Sequence, residues 1–262
     1  MKNLFQPVKQ LWNWRYLLWF LVKSDLKVAY KNKFFGFLWS ILDPLMMMVV
    51  YVILVQYIFK RGGPQFPVLL FSALLAWRWF TYSLQQSVVS LTSRAKLIQA
   101  VAFPKIILPT QQVVTGFMKY LFSLIALLPM LFMFHARFTI NLVWLPVVVL
   151  IQFVFTLGLS LILAIFGVYF RDLQNILQFG LRMWFYLSPG LYSVADRIPK
   201  HLQPIYMLNP FSALFNAYKN LLVRGIPPTF YIWITLGAGF LFLCFGLFLF
   251  ARKESYLAKD IR

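Results

Sequence analysis

Six stretches of this chain are long and apolar enough to require lipid rather than water around them. They fall at about residues 37–59, 66–90, 106–134, 142–170, 176–192 and 229–250. A helix of about 20 mostly apolar residues crosses the roughly 30 Å hydrocarbon layer. Backbone N–H and C=O groups find no water partner there, and no stretch alternates like a barrel strand, so the spans are expected to be helices. The fifth run is the shortest, carries Arg182 and ends in Ser188-Pro189-Gly190, so it reads as broken or as continuing into a re-entrant piece. Composition agrees: hydrophobic residues are 61% and charged residues 12%, against roughly 45–50% and about 25% in ordinary globular proteins.

The segment before the first span is of another kind. Residues 11–22 are apolar for about a dozen positions with Arg15 inside, and Lys23, Asp25, Lys27, Lys31 and Lys33 follow. Trp12, Trp14, Tyr16, Trp19 and Phe20 belong to the types that favour the headgroup layer. A signal peptide would need small residues after Val22, where charged and bulky ones stand. An amphipathic helix lying in the interface is the expectation.

The net charge of +19, from 25 Lys and Arg against six acids, suggests nucleic acid or anionic lipid as partner. The apolar runs decide for the membrane and against nucleic acid. With the N-terminus inside, the inner segments hold fifteen Lys and Arg and the outer ones seven. An excess of Lys and Arg marks the cytoplasmic side. Both termini are therefore expected in the cytoplasm. Inside, residues 92–105 read as a short helix stopped by Phe103-Pro104; outside, residues 193–228 keep apolar stretches too short to span, which suit short helices dipping back into the outer leaflet. The chain contains no internal repeat and no soluble domain. It reads as one transmembrane domain over residues 1–262, with an interfacial segment 1–36, a six-span bundle 37–250 and a tail 251–262.

Several chemistries are missing. Ion-coupled carriers usually place acids or His at mid-membrane, and none of Asp25, Asp43, Asp172, Asp196, Glu254 or Asp260 clearly stands there. A membrane enzyme acting on lipid phosphates generally needs a metal-binding acid pair or a His near the headgroups. His135 and His201 stand far apart and read as loop residues, Cys244 is alone, and no metal-ligand cluster or catalytic set emerges. The chain lacks GxxxxGK[ST] and cannot cradle ATP phosphates by itself. ATP-driven transport would therefore need a second polypeptide.

Three cations fall within spans: Arg78 between Trp77 and Trp79, Lys119, and Arg182. Each is costly in lipid unless it faces a cavity or snorkels. Lys119 and Arg182 could attract an anionic phosphate, and Arg78 could stack on its Trp neighbours. Tyr82, Ser83, Gln85, Gln86, Ser87 and Ser90, with Thr110, Gln111, Gln112 and Thr115, either glue helices together or line a polar path. Aromatic faces suit sugar rings, but aromatics are 19% of the chain and most must meet lipid or other helices.

With these residues in order, the chain resembles the membrane permease subunits of ABC-2-type exporters for cell-surface polysaccharides and wall teichoic acids. The resemblance rests on Phe35-Gly36-Phe37-Leu38-Trp39-Ser40-Ile41-Leu42-Asp43-Pro44 at the entry to the first span. It continues with Leu97-Ile98, Phe103-Pro104-Lys105 and Leu108-Pro109, then Tyr169-Phe170-Arg171-Asp172-Leu173. Trp184-Phe185-Tyr186-Leu187-Ser188-Pro189 and Leu208-Asn209-Pro210 complete it. The family often has an Asn before the Leu-Ile pair and a Lys after it; here residues 93–96 offer no Asn, and Gln99-Ala100 follow.

That resemblance implies a homodimer bound to two copies of a cytoplasmic ABC ATPase, which would hold the ATP and Mg; no cofactor is expected on this chain. The substrate would be a glycopolymer linked to polyprenyl diphosphate, moved across the bacterial cytoplasmic membrane for cell wall biogenesis. Arg94, Lys96, Leu97, Ile98, Phe103, Pro104 and Lys105 would form the coupling helix seated on the ATPase, with Arg171 and Asp172 beside it. ATP binding would part the first and fifth spans at the dimer interface. Phe35, Trp39, Arg182, Trp184, Phe185 and Tyr186 would line the substrate path, and Ser188, Pro189, Asn209 and Pro210 would belong to an outer gate. Replacing Leu97 and Ile98 with Asp would release the ATPase while leaving insertion intact. Teichoic acids carry repeating phosphates, which suit a strongly cationic permease, so they are favoured over O-antigen or capsular polysaccharide. The alternative is a self-sufficient membrane protein, either a lipid-modifying enzyme or an ion-coupled carrier.

Overall fold

The computed structural model describes residues 6–31, 34–192 and 199–260, and the described residues form helices and turns with no strand. Residues 193–198, the start of the expected outer segment with Asp196 and Arg197, lie outside the described residues, as do Lys33 and the first five and last two positions. Four helical stretches are long and apolar enough to cross a membrane: Trp39–Ile58, Ile107–Met133, Ile140–Tyr169 and Tyr231–Glu254. They coincide with four of the six expected runs.

The expected interfacial helix is two helices, α1 (Gln6–Asn13) and α2 (Arg15–Tyr30), joined at Trp14. Leu17, Leu18, Leu21 and Val22 turn inwards, while Trp12, Tyr16, Trp19 and Phe20 are exposed. The Arg15 guanidinium lies 5.1 Å from the Trp12 ring centroid and 4.7 Å from that of Tyr16, an arrangement that shields a cation beside aromatic residues.

The first apolar run is α3 (Trp39–Val52), which widens into a π-helical turn over Ile53–Ile58. Pro44 lies inside α3. It has no N–H to offer the carbonyl four residues back, and that carbonyl, on Ser40, accepts instead from the Ser123 hydroxyl at 2.9 Å. Such replacement partners let helices carry Pro where water is absent.

At the centre lies α4 (Phe66–Val89), wrapped by α3, α6 (Ile107–Met133), α7 (Leu145–Tyr169) and α8 (Leu173–Leu187). Its polar and cationic residues are tolerated because neighbouring helices meet them. Trp79 Nε1 donates to the Val113 carbonyl at 3.2 Å, and Gln152 Nε2 donates to the Ala76 carbonyl at 2.8 Å. Arg78 pairs with Asp43 of α3 rather than simply stacking on its Trp neighbours. Lys119 holds its Nζ 3.7 Å from the Tyr82 ring centroid.

The largest helix contact joins α7 to α11 (Tyr231–Asp260). Glycines allow it. A Cβ on Gly158 would stand 2.5 Å from the Leu243 nitrogen, one on Gly239 would stand 2.9 Å from the Phe155 Cα, and one on Gly246 would stand 2.8 Å from the Leu161 Cβ. Small residues bring backbones together in lipid, where burial from water gives no drive.

Two apolar clusters result. The larger joins α4, α6, α7, α8 and α10 (Pro210–Lys219) around Trp77, Phe80, Phe155, Phe211 and Phe215. The smaller joins α2, α5 (Ala95–Ala100) and the near ends of α6, α7 and α11. We call the two ends of the bundle the α5 end and the α10 end. Between α8 and α10, Gln203–Met207 forms the short helix α9.

Candidate coupling face and substrate surface

α5 is only six residues long, and packing fixes it. Ile98 is 6% exposed and Phe103 is also 6% exposed, both buried with Leu21, Leu91, Ile106 and Phe250, and Pro104 is buried too. Leu97 is half-buried against the same cluster. These residues hold the segment and do not face outwards. The outward face carries Lys96, Ala100 and Val101, the last 49% exposed.

Side chains from both ends of the sequence clamp this segment. At its head, the Arg94 guanidinium donates to Asp25 of α2 at 2.5 Å and to the Gln111 side-chain oxygen at 2.9 Å. The Gln111 amide donates to the other Asp25 oxygen, which also accepts from the Gln112 amide at 3.2 Å. Each donor thus meets an acceptor away from bulk water, the condition for a favourable polar cluster. At its foot, the Lys105 backbone N–H donates to Glu254 of α11 at 2.9 Å. Sequence reasoning missed Asp25, Gln111, Gln112 and Glu254 as partners of this segment. Acid scarcity was the available signal, because Asp25 is the one carboxylate among the first 42 residues.

Arg171 and Asp172 are exposed at the head of α8. The Asp172 carbonyl accepts from the N–H groups of Asn175 at 3.0 Å and Ile176 at 3.1 Å, which starts the helix. The two ion pairs among the described residues are Arg78–Asp43 and Arg94–Asp25, so Arg171 and Asp172 do not pair with one another.

The residues expected along a substrate path separate into two groups. Trp184 and Phe185 face the chain's own core. The Phe185 side chain is buried beside Trp77 at 5.5 Å and Tyr51 at 5.8 Å, and the Trp184 ring lies 5.5 Å from both Phe80 and Phe211. Phe35, Trp39, Arg182 and Tyr186 are exposed, with Phe35 and Trp39 edge to face at 5.7 Å. Arg182 and Tyr186 extend a row that sequence reasoning missed. Gln174, Gln178, Arg182 and Tyr186 are all exposed, and residues four apart share a helix face. The row offers two amides, a guanidinium and a phenol, and the Tyr186 hydroxyl lies 3.4 Å from that of Tyr51 on α3.

The expected gate residues are joined directly. Asn209 caps α10, accepting from the Phe211 N–H at 3.1 Å, with Pro210 in the first turn, a favoured N-cap arrangement. The same Asn209 oxygen accepts from Trp184 Nε1 at 3.0 Å, and its amide donates to the Ser188 hydroxyl at 2.9 Å. On the other side of that turn, Lys219 Nζ donates to the carbonyls of Pro189 at 2.5 Å and Gly190 at 3.0 Å. Burial, and secondarily the charge of Arg224, lowers the Lys219 ammonium from its ordinary value to about 7. The foot of α8 is thus tied on both sides to α10. Among the described residues, no group of three His, Cys, Asp or Glu is placed to hold a metal ion.

The sequence matches the family model described as ABC-2 type transporter over residues 16–223. It is 30% identical over 256 residues to an O-antigen export system permease protein RfbA of Klebsiella pneumoniae, covering 96% of this chain and 98% of that one. It is 38% identical over 215 residues to the O-antigen export system permease protein RfbA of Myxococcus xanthus, covering 82% of this chain and 83% of that one.

Proposed function

From the premise that this chain belongs to the ABC-2 type transporter family, we propose that it exports an O-antigen-type polysaccharide carried on polyprenyl diphosphate. It is the permease subunit of a polysaccharide exporter, a multi-pass protein of the bacterial cytoplasmic membrane, and ATP hydrolysis belongs to a partner ABC ATPase. The relatives favour O-antigen over the teichoic acid suggested by net charge. Six of the 25 Lys and Arg, namely Lys23, Lys27, Arg94, Lys96, Arg252 and Lys253, lie on the α2, α5 and α11 segments at one end of the bundle, so net charge alone does not report on the substrate.

In this reading the chain crosses the membrane six times, α4 and α8 completing the set begun by the four most apolar helices. The α5 end faces the cytoplasm, two chains pair, and each receives one ATPase. The observation that carries the reading is the clamped α5 segment, held by Asp25 at its head and Glu254 at its foot while Lys96 and Val101 stay exposed. A surface held from two sides can transmit a push without unravelling. The exposed row Gln174, Gln178, Arg182 and Tyr186 gives hydroxyl-rich sugars hydrogen-bonding partners on α8. Asp25, Asp43 and Glu254 all have protein partners, which leaves an ion-coupled carrier little to work with.

The test is co-expression of this chain with its partner ABC ATPase and reconstitution in lipid nanodiscs. A stable complex whose ATP turnover rises with lipid-linked O-antigen, and not with lipid-linked teichoic acid, is the expected result. A well-folded chain that recruits no ATPase would overturn the exporter reading.

A further inference from the structure

A cavity of about 1130 Å³ opens at the α10 end, away from the coupling face. Its wall brings Arg61, His135, Lys219 and Arg224 together, with Phe59 and Phe66 among its apolar residues. Among the described residues no carboxylate lines it, and neither ion pair involves these cations. Lys219 is buried, and an ammonium has three donors, of which the carbonyls of Pro189 and Gly190 take two. A buried ammonium with a donor to spare is expensive and favours an anionic partner, and the exposed guanidiniums of Arg61 and Arg224 add to the positive field of the same cavity.

The rim is built with some backbone cost. Lys60 at φ 48° and His135 at φ 52° are the non-glycine residues with positive φ among those described; His135 lines this cavity, and Lys60 immediately precedes its lining residue Arg61. Such conformations persist where the surrounding structure imposes them, often at binding sites. Here Gln56 Nε2 donates to the Gly63 carbonyl at 3.0 Å, and Gln65 Nε2 donates to the Phe134 carbonyl at 3.3 Å. These bonds fix the loop carrying Arg61 and tie it to the turn carrying His135.

We infer that this cavity binds the phosphate headgroup of a membrane lipid, with Arg61, Lys219 and Arg224 meeting the phosphate and Phe59 and Phe66 meeting the start of its hydrocarbon chain. The volume exceeds the roughly 300–1,000 Å³ of ordinary small-molecule sites, enough for a diphosphate with part of its tail. Resting on the exporter reading, the occupant is the diphosphate of the polyprenyl carrier, received at the end opposite the ATPase. An anionic phospholipid shares the chemistry and is the competing source.

The experiment uses the full-length chain in phosphatidylcholine nanodiscs, titrated calorimetrically with farnesyl diphosphate, with inorganic pyrophosphate, and with farnesyl diphosphate after phosphatidylglycerol is added to the bilayer. The wild type is expected to bind farnesyl diphosphate, and the double variant Arg61→Gln, Arg224→Gln to bind it at least tenfold more weakly. Both residues are exposed, so the fold should survive, and an unchanged melting temperature would verify that. Equal affinity in the two proteins, or no binding to the wild type, overturns the site. Pyrophosphate binding as tightly as farnesyl diphosphate overturns the lipid and leaves a bare anion site. Displacement by phosphatidylglycerol supports a lipid-phosphate site but overturns the carrier as its occupant. Recruitment of the ATPase to the same nanodiscs reads the exporter function separately, so either reading can fail without the other.

Discussion

Arg94 and Asp25 stand 69 residues apart in sequence yet meet at 2.5 Å, joining the head of α5 to α2. The residue expected to touch the ATPase thus spends its charge inside the chain. Asp25→Asn should lower stability by about 2 kcal/mol, the scale of hydrogen bonds to a charged group, because both side chains are only about a fifth exposed. Thermal unfolding in detergent measures it. The swap Asp25→Arg with Arg94→Asp should recover part of the loss, and no recovery would mean that Gln111 and Gln112 carry the contact.

The outward and inward faces of α5 should respond differently. Lys96→Glu with Val101→Asp is expected to abolish ATPase co-purification at unchanged melting temperature. Ile98→Asp should instead lose folded protein, since its side chain is buried among Leu21, Phe103 and Phe250. Replacing Leu97 and Ile98 together therefore cannot separate docking from folding.

The α8 row offers a similar contrast. Arg182→Ala should reduce polymer-stimulated ATP turnover several-fold while leaving basal turnover and stability near wild type. Phe185→Ala, which empties a buried site, should cost about 3–5 kcal/mol. A loss of stability in Arg182→Ala would show that the guanidinium has a structural partner.

At the seam between α7 and α11, Gly158→Val should destabilise by at least about 1–3 kcal/mol, the range for overpacking. Its first added carbon would already stand 2.5 Å from the Leu243 nitrogen. Gly180→Val, where an added Cβ meets nothing within 4 Å, is the control and should melt near the wild type.

Lys219 gives the cavity a pH dependence with a definite sign. Burial first, then Arg224, lowers its ammonium to about 7, so it is charged at pH 6 and largely neutral at pH 8. Arg61, His135 and Arg224 face the same cavity; the arginines stay charged throughout, and His135→Gln removes the imidazole. In that background, affinity for farnesyl diphosphate should fall between pH 6 and pH 8 relative to the same protein carrying Lys219→Met, a comparison that cancels the ligand's own titration. Folding responds in the opposite sense, its stability rising with pH. An unfolded lysine stays charged up to about 10.5, so the burial penalty grows as pH falls from there to about 7 and is constant below.

The spans were legible because apolar length is a local property: the expected run 106–134 became Ile107–Met133, and 37–59 became Trp39–Ile58. The fifth run was misplaced at its start because Gln174 and Asn175, polar and exposed, lie in the first turn of α8. The site was less legible. Glu254 reaches the Lys105 N–H across 149 positions, and no periodicity announces such a contact. Gln111 and Gln112 were readable as either helix glue or a polar path, and their bonds to Asp25 decide for glue. The family resemblance implied a substrate role for Trp184, whereas its Nε1 is committed to Asn209.

The glycine contacts between α7 and α11 have a mechanical consequence. Where backbone rests on backbone, no layer of side chains is left to slide or repack, and the two helices behave as a single fixed post. α3 and α8 have no such seam. α3 carries Pro44 inside it and widens at Ile53–Ile58, and the Tyr51 hydroxyl of α3 lies 3.4 Å from the Tyr186 hydroxyl of α8. Any movement of this chain is therefore expected on the side of the bundle bearing α3 and α8, against a post that stays still.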